Sequence, residues 1–206
     1  MAQAERVRKA VEALRRGETV VVVGNLHGVE VATLVRDAET VEAKDINYMA
    51  LYGRGLVSCA VRADRLDRLD IPLICTNKVN ATPFCVSVDA KEGTTTGISA
   101  HDRAVTARVL ADPNTRPQDL NRPGHLFPIR VEMEGVQGHP GLAEAAVDLA
   151  VLAGRAPVAV TCPILAEDGE VADHRFLEAF IREQGLAVVS VADLLEYLKA
   201  QVAEAI

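Results

Sequence analysis

Short apolar runs suited to buried β-strands alternate along this chain with segments that have helical spacing. The clearest run, residues 19–23, is almost entirely valine, and β-branched residues of this kind favour strands buried on both faces. Ahead of it, residues 4–16 place apolar side chains at helical intervals, and Gly17 follows as a helix-ending residue. The alternation continues toward the C-terminus. It predicts an α/β (α+β) fold with a mixed β-sheet flanked by helices.

The remaining elements are predicted from the same two kinds of periodicity. Strands are predicted at 19–23, 29–35, 56–61, 84–88, 156–162 and 187–191. Helices are predicted at 4–16, 41–52, 63–69, 100–110, 142–152, 176–184 and from residue 192 onward. Residues 112–128 hold four of the nine prolines without periodicity, which predicts a long connecting loop. Because no internal repeat or low-complexity linker is found, residues 1–206 are expected to form a single domain.

The charge balance restricts the class of partner. The chain has 22 Lys and Arg against 29 Asp and Glu, a formal net charge of −7, whereas nucleic-acid binding usually rests on a basic face. No apolar run approaches the roughly 20 residues needed to span a bilayer. We therefore expect a cytoplasmic protein that handles a small molecule, with neither nucleic acid nor membrane as partner. The four cysteines are scattered and are expected to be buried free thiols.

A loop rich in hydroxyl groups precedes one predicted helix. Residues 93–103, GTTTGISAHDR, carry Thr94, Thr95 and Thr96 ahead of Ser99, the expected N-cap. Backbone N–H groups at a helix N-terminus bind anions, and threonine hydroxyls can add contacts to a phosphate. The three threonines are therefore candidates for substrate binding. Ordinary turn formation and helix capping is the alternative interpretation.

The proline-rich segment 119–128, DLNRPGHLFP, contains Arg122 and His125. Imidazole titrates near neutral pH, which makes His125 a candidate general acid–base, and Arg122 a candidate for binding substrate. A loop histidine that is hydrogen-bonded to the backbone is the alternative interpretation.

Two further segments carry candidate residues. Asn25, His27 and Glu30 follow the first strand, a position where α/β proteins often place active-site loops. His139 precedes the predicted helix at 142–152, and Glu144 lies in its first turn, where compensation of the helix dipole alone could explain a carboxylate. The glycines around His27 give no reason to assume a helix, so its spacing from Glu30 does not indicate a metal site.

Taken together and in order, these segments resemble the 3,4-dihydroxy-2-butanone 4-phosphate synthase family of riboflavin biosynthesis. The similarity covers nearly the whole chain and is carried by YGRGLV (52–57), EGTTTGISAHDR (92–103), DLNRPGHLFP (119–128), AEAAVDLAVLAG (143–154) and VADLLEYL (191–198). The resemblance implies a homodimer with active sites at the subunit interface. It also implies a magnesium-dependent reaction that removes one carbon of ribulose 5-phosphate as formate.

The chain departs from the family pattern where the family binds its metal. The acidic loop after the first strand is replaced by GNLHGVEVAT (24–33), with Val29 at a metal-ligand glutamate position. Leu142 replaces the metal-ligand histidine, and Pro163 replaces a later acidic residue. Magnesium requires oxygen-rich octahedral coordination, to which hydrocarbon side chains contribute nothing. These replacements predict that the protein has no metal site and uses no cofactor.

Three functions remain open at the level of sequence. The first is a repurposed, metal-independent enzyme of lyase, isomerase or cyclase type, with His125 as main acid–base group, His27 and His139 secondary, and Glu144 orienting. The second is an authentic synthase of the family. The third is a non-catalytic partner subunit of an active synthase.

Overall fold

The structure is a computed structural model and describes residues 2–26, 28–74 and 82–204. Within these ranges seven strands form one mixed sheet. They are β1 (Val20–Leu26), β2 (Val29–Asp37), β3 (Ser58–Arg62), β4 (Val88–Ala90), β5 (Leu120–Val131), β6 (Val158–Pro163) and β7 (Ala187–Ser190). The order across the sheet is β4-β5-β3-β6-β2-β1-β7. Strands β1 and β7, and β3 and β5, pair in parallel, while the other neighbours are antiparallel.

Helices are found between most of the strands. They are α1 (Ala2–Arg15), α2 (Ala43–Tyr48), α3 (Ala63–Arg68), α4 (Ala100–Ala111), α5 (Gly135–Gly138), α6 (Leu142–Leu152), α7 (His174–Gln184) and α8 (Val191–Glu204). A π-helical turn, Met49–Gly53, extends α2, and a 3-10 turn, Pro117–Asp119, precedes β5. None of the helices described is long and apolar enough to cross a membrane.

Apolar residues on the two faces of the sheet form two separate hydrophobic clusters. Side chains alternate along a strand, so Val21 and Leu34 enter one cluster while Val22 and Val35 enter the other. The first cluster contains residues of α2, α4 and α7, and the second contains residues of α1, α6 and α8. The sheet is therefore covered by helices on both faces, and this confirms the predicted fold class. The extent of the domain, residues 1–206, stays a prediction.

The prediction of a loop at 112–128 is wrong, because β5 begins at Leu120 and lies inside the sheet. Proline lacks the N–H donor but keeps its carbonyl acceptor, so a strand containing it can still pair. The carbonyl of Pro128, for example, accepts a hydrogen bond of 2.8 Å from the N–H of Cys85. The strand predicted at 84–88 is also displaced, since regular pairing in β4 starts only at Val88.

The predicted thiol state is confirmed where the structure describes it. Cys59, Cys85 and Cys162 are free and buried, whereas Cys75 lies outside the described residues. Burial raises the pKa of the Cys85 thiol to about 11 and that of Cys162 also to about 11, so both remain protonated near neutral pH.

Candidate active site

His125 on β5 is held by an aspartate of the neighbouring strand. The N–H of His125 donates to Oδ1 of Asp89 at 2.9 Å, and its ring atom Nδ1 lies 2.8 Å from Oδ2. The Asp89 side chain is only 13% exposed, whereas that of His125 is 44% exposed. The imidazole is thus fixed on one side and accessible on the other, as a group that exchanges protons with a ligand must be.

Two glycines let the backbone approach this pair. A Cβ on Gly97 would lie 2.1 Å from Oδ2 of Asp89 and 2.6 Å from Nδ1 of His125. A Cβ on Gly124 would lie 2.1 Å from the carbonyl carbon of Val88. Both distances are far below any normal contact, so only glycine fits at either position. Gly97 also has a φ of +82°, which favours glycine independently.

The threonine loop is stabilised largely by its own hydrogen bonds. The hydroxyl of Thr94 donates to the carbonyl of Ala90 at 2.6 Å. Buried Asp102 accepts the hydroxyl of Thr95 at 3.1 Å and the N–H of Gly97 at 2.9 Å. Desolvation opposes ionisation of Asp102, but hydrogen bonds, led by the Thr95 and Gly97 N–H groups, outweigh it and lower its pKa.

Ser99 is the N-cap of α4, as predicted, because its side chain accepts the N–H of Asp102 at 3.0 Å. The hydroxyl of Thr96 has only a long contact of 3.4 Å with the N–H of Ile98. Thr96 is thus the threonine with the least committed hydroxyl. The role of all three threonines in substrate binding stays a prediction.

Arg122 precedes His125 but makes its hydrogen bonds elsewhere. Its guanidinium donates to the carbonyl of Leu69 and, at 3.2 Å, to that of Pro117. Both acceptors are main-chain atoms at the end of α3 and in the 3-10 turn. These contacts brace the beginning of β5, and the predicted role of Arg122 in binding substrate is not tested by them.

Glu144 and His139 are neighbours at the N-terminus of α6. Glu144 is 8% exposed, and burial raises the pKa of its carboxyl group, although a hydrogen bond from its own backbone N–H opposes this. A Cβ on Gly141 would lie 2.2 Å from Oε2 of Glu144 and 3.2 Å from Cδ2 of His139. The structure therefore brings together this predicted pair, with the carboxyl group buried and the exposed imidazole beside it.

The tip of the β1–β2 hairpin carries the other predicted residues. Asn25 and Glu30 are paired across the hairpin, where the Asn25 side chain accepts the N–H of Gly28 at 2.7 Å. Glu30 lies 3.1 Å from Nδ1 of His174 on α7, and Glu178 lies 3.2 Å from Nε2 of the same ring. Both carboxylates raise the pKa of His174. His27 lies outside the described residues.

These groups share one end of the sheet but are separated across it. Ser58 of β3 pairs with Phe127 of β5 on one side and with Thr161 of β6 on the other. Relative to this row of paired residues, His125 on β5 and the β1–β2 hairpin lie toward the same end of the sheet. Three strand spacings separate β5 from β2, roughly 14 Å at about 4.8 Å each. Within one chain, His125 and the hairpin tip therefore do not meet.

Sequence reasoning missed Asp89. Its contact with His125 joins positions 36 residues apart and depends on a register shift between Val88 and Asp89, which a single sequence does not reveal. One signal was available, because aspartate is depleted in strands and Asp89 directly follows the strand predicted at 84–88.

A cavity of about 620 Å³ opens elsewhere, between α7 and the segment 166–168. Aromatic side chains line it together with acidic groups: Tyr52, Phe176 and Phe180, with Glu167, Asp168 and Glu183. Its lining, as far as the structure describes the chain, includes none of the predicted site residues.

A mixed sheet covered by helices on both faces, with polar groups at one end, defines an α/β protein. A family model for 3,4-dihydroxy-2-butanone 4-phosphate synthase matches residues 8–197, and the chain belongs to this family. This confirms the resemblance in the sequence motifs.

Known relatives agree with this assignment. The 3,4-dihydroxy-2-butanone 4-phosphate synthase of Agrobacterium fabrum is 43% identical over 201 residues, which are 97% of this chain and 94% of that protein. A crystal structure of a two-domain synthase from A. baumannii has a TM-score of 0.89 at 36% identity, covering 93% of this chain and 57% of that one. A synthase solved in complex with two magnesium ions has a TM-score of 0.86 at 34% identity, covering 94% and 96%.

The last structure corrects the expectation that no cofactor is used. A relative of the same fold and length binds magnesium, so replacements at Val29 and Leu142 do not justify a metal-free assignment. Within 2–26, 28–74 and 82–204, no group of three or more His, Cys, Asp or Glu side chains is placed to hold a metal ion. Within one chain, the described residues therefore form no three-ligand site of this kind.

Proposed function

We propose that this protein is a lyase that converts ribulose 5-phosphate into 3,4-dihydroxy-2-butanone 4-phosphate and formate. The observation that carries the proposal is the 43% identity to a synthase that the chain covers almost from end to end. Similarity of this extent supports the synthase interpretation better than a repurposed enzyme. The five carbons of the substrate are accounted for by a four-carbon phosphate and one formate.

The geometry supports separate roles for His125 and for the loop before α4 in this reaction. Moving a double bond beside a carbonyl requires a group that removes and returns protons, and the accessible ring of His125 is suited to this step. The loop before α4 carries the Thr96 hydroxyl, which has only a long internal contact, close to the N-terminus of that helix, where a phosphate is favoured. In this proposal, buried Glu144 is the second acid–base group.

The proposal includes a homodimer in which each active site takes residues from both chains. The separation of roughly 14 Å between β5 and β2 favours this arrangement, because one chain alone does not bring His125 to the hairpin. A cytoplasmic location is part of the same proposal.

The test is formate release. Purified protein is incubated with ribulose 5-phosphate and Mg²⁺, and formate is measured by a coupled dehydrogenase assay. Magnesium is supplied because a related synthase binds it. Ribose 5-phosphate, the aldose isomer, is the matched control. We expect formate from the ketose only, and no formate from either sugar would reject the proposed reaction.

A second candidate is a related reaction on a less hydroxylated substrate. The specific observation is that Leu142 reaches to 3.0 Å from where a Cβ of Gly24 would lie, while Leu26 and Val29 are half exposed at the hairpin tip. Hydrocarbon therefore borders the site where the family has acidic groups. A phosphorylated ketone with fewer hydroxyls, turned over without formate release, would favour this candidate.

The partner-subunit hypothesis stays a prediction. Co-purification with a second synthase that retains the acidic loop would support it, and a homodimer that releases formate by itself would reject it.

A further inference from the structure

We propose that Asp89 is a positioning residue for His125: it fixes the neutral imidazole as the Nδ1–H tautomer, so that Nε2 is the atom that exchanges protons with the substrate. The proposal rests on the proposed function for its catalytic consequence. The tautomer itself is a property of the resting protein.

Both oxygens of the Asp89 carboxylate contact His125. Oδ1 accepts the backbone N–H of His125 at 2.9 Å, and Oδ2 lies 2.8 Å from Nδ1. An ionised carboxylate only accepts hydrogen bonds, so Nδ1 must be the donor. A neutral imidazole has one N–H group, and its other nitrogen then carries the free lone pair. Nε2 is therefore the basic atom of this ring.

The surroundings prevent the ring and the carboxylate from rearranging. The register shift between Val88 and Asp89 sets Asp89 against β5. The N–H of Gly124 donates to the carbonyl of Ser87 at 3.0 Å, which anchors the residue before His125. On the other side, the backbone of Gly97 closes over Oδ2 and Nδ1 so tightly that no Cβ fits. The contact is thus built by three separate segments of the chain.

Asp89→Asn is the most informative variant, because it keeps the shape and changes only the hydrogen-bonding pattern. The amide oxygen can still accept the His125 N–H, but the NH₂ group then faces Nδ1 and requires it to be an acceptor. The ring should switch to the Nε2–H tautomer. In the serine-protease triad, the corresponding Asp→Asn change lowers kcat by about 10⁴.

The experiment measures imidazole nitrogen chemical shifts by NMR in the resting protein above the pH at which the ring is protonated. His125 signals are assigned by their absence from His125→Gln. The wild type should show the Nδ1–H tautomer and Asp89→Asn the Nε2–H tautomer, with kcat lowered about 10²–10⁴-fold and KM changed little. Asp89→Glu should restore the wild-type tautomer. Asp70→Asn, at an exposed position, is the matched control and should change neither readout.

An Nε2–H tautomer in the wild type, or the same tautomer in wild type and Asp89→Asn, would overturn the proposal. Unchanged kcat in an active Asp89→Asn protein would also overturn it. The NMR result needs no substrate, so it separates the two proposals. A tautomer switch in a protein that releases no formate would support the positioning role while rejecting the proposed reaction.

Discussion

At the scale of single residues, glycine positions determine how the candidate site is assembled. Gly97 and Gly124 have no side chain where another segment passes at less than 3 Å from a possible Cβ. Sequence motifs could identify His125 as a candidate because its type and context suggest proton transfer. They could not identify Asp89, because the contact is made only after two distant strands pair.

Gly97→Ala is expected to separate His125 from Asp89, because the new Cβ would overlap both. Gly154→Ala is the matched control, since Gly154 has a similar φ of +77° but nothing within 4 Å of a Cβ. The control should lose about 1 kcal/mol of unfolding free energy from backbone strain alone. Urea denaturation should show a larger loss for Gly97→Ala, together with at least tenfold lower activity. Equal losses in both variants would argue against the tight contact.

Glu144 gives a prediction about pH. Burial raises the pKa of its carboxyl group, so the folded state favours the neutral form. The stability that the buried neutral carboxyl group contributes is fully present below its pKa in the unfolded chain, about 4.3. It is lost as the pH rises through the higher pKa of Glu144 in the folded protein. Glu144→Gln should therefore be more stable than wild type at neutral pH, with the difference disappearing near pH 4. Exposed Glu183→Gln is the control, and an identical pH profile in both variants would contradict the assignment.

At the scale of elements, the β1–β2 hairpin and the helix alternation could be predicted because their apolar periodicity is local. Strand β5 could not, because its prolines suppress the periodic signal while the pairing partners on both sides supply the hydrogen bonds. The candidate site depends on this strand. Candidate residues for the site could therefore be named from the sequence, whereas the strand that positions His125 could not.

The two terminal helices are joined by a charged contact. Arg6 of α1 donates to Asp193 of α8 at 2.6 and 2.8 Å, and this hydrogen bond lowers the pKa of Asp193. Stability from this pair should be present above the unfolded pKa of about 3.9 and lost as the pH falls through the folded value. Asp193→Asn should lower the unfolding free energy by about 1 kcal/mol at pH 7, since Arg6 is 45% exposed and screened by solvent.

Thermal or urea unfolding at pH 7 and pH 3 measures this effect. Exposed Asp168→Asn is the control, which should be neutral at both values of pH. A loss of stability in Asp193→Asn that does not diminish at pH 3 would show that the ionic contact is not its cause.

At the scale of the whole molecule, the net charge of −7 favoured a protein that handles a small molecule, and the chain belongs to the 3,4-dihydroxy-2-butanone 4-phosphate synthase family. The sequence could not show which residues complete the site around His125. His125 and the β1–β2 hairpin lie at the same end of the sheet but on strands that are not neighbours. If a second chain completes it, two inactive variants should complement each other.

His125→Gln and Glu144→Gln are therefore mixed after refolding together. If each site takes His125 from one chain and Glu144 from the other, about a quarter of the wild-type activity should return. Half of the dimers in a statistical mixture are mixed, and each of these has one of its two sites intact. Each variant refolded alone should stay inactive. Activity no greater than the average of the two separate variants would show that both residues act within one chain.

In the proposed reaction, this chain excises one carbon of ribulose 5-phosphate as formate. The most direct measurement is the yield of formate and of four-carbon phosphate per ribulose 5-phosphate consumed by the purified protein. We expect equal yields of both products, and a fall of about 10²–10⁴ in rate for His125→Gln. Consumption of the substrate without formate, or formate release unaffected by His125→Gln, would contradict it.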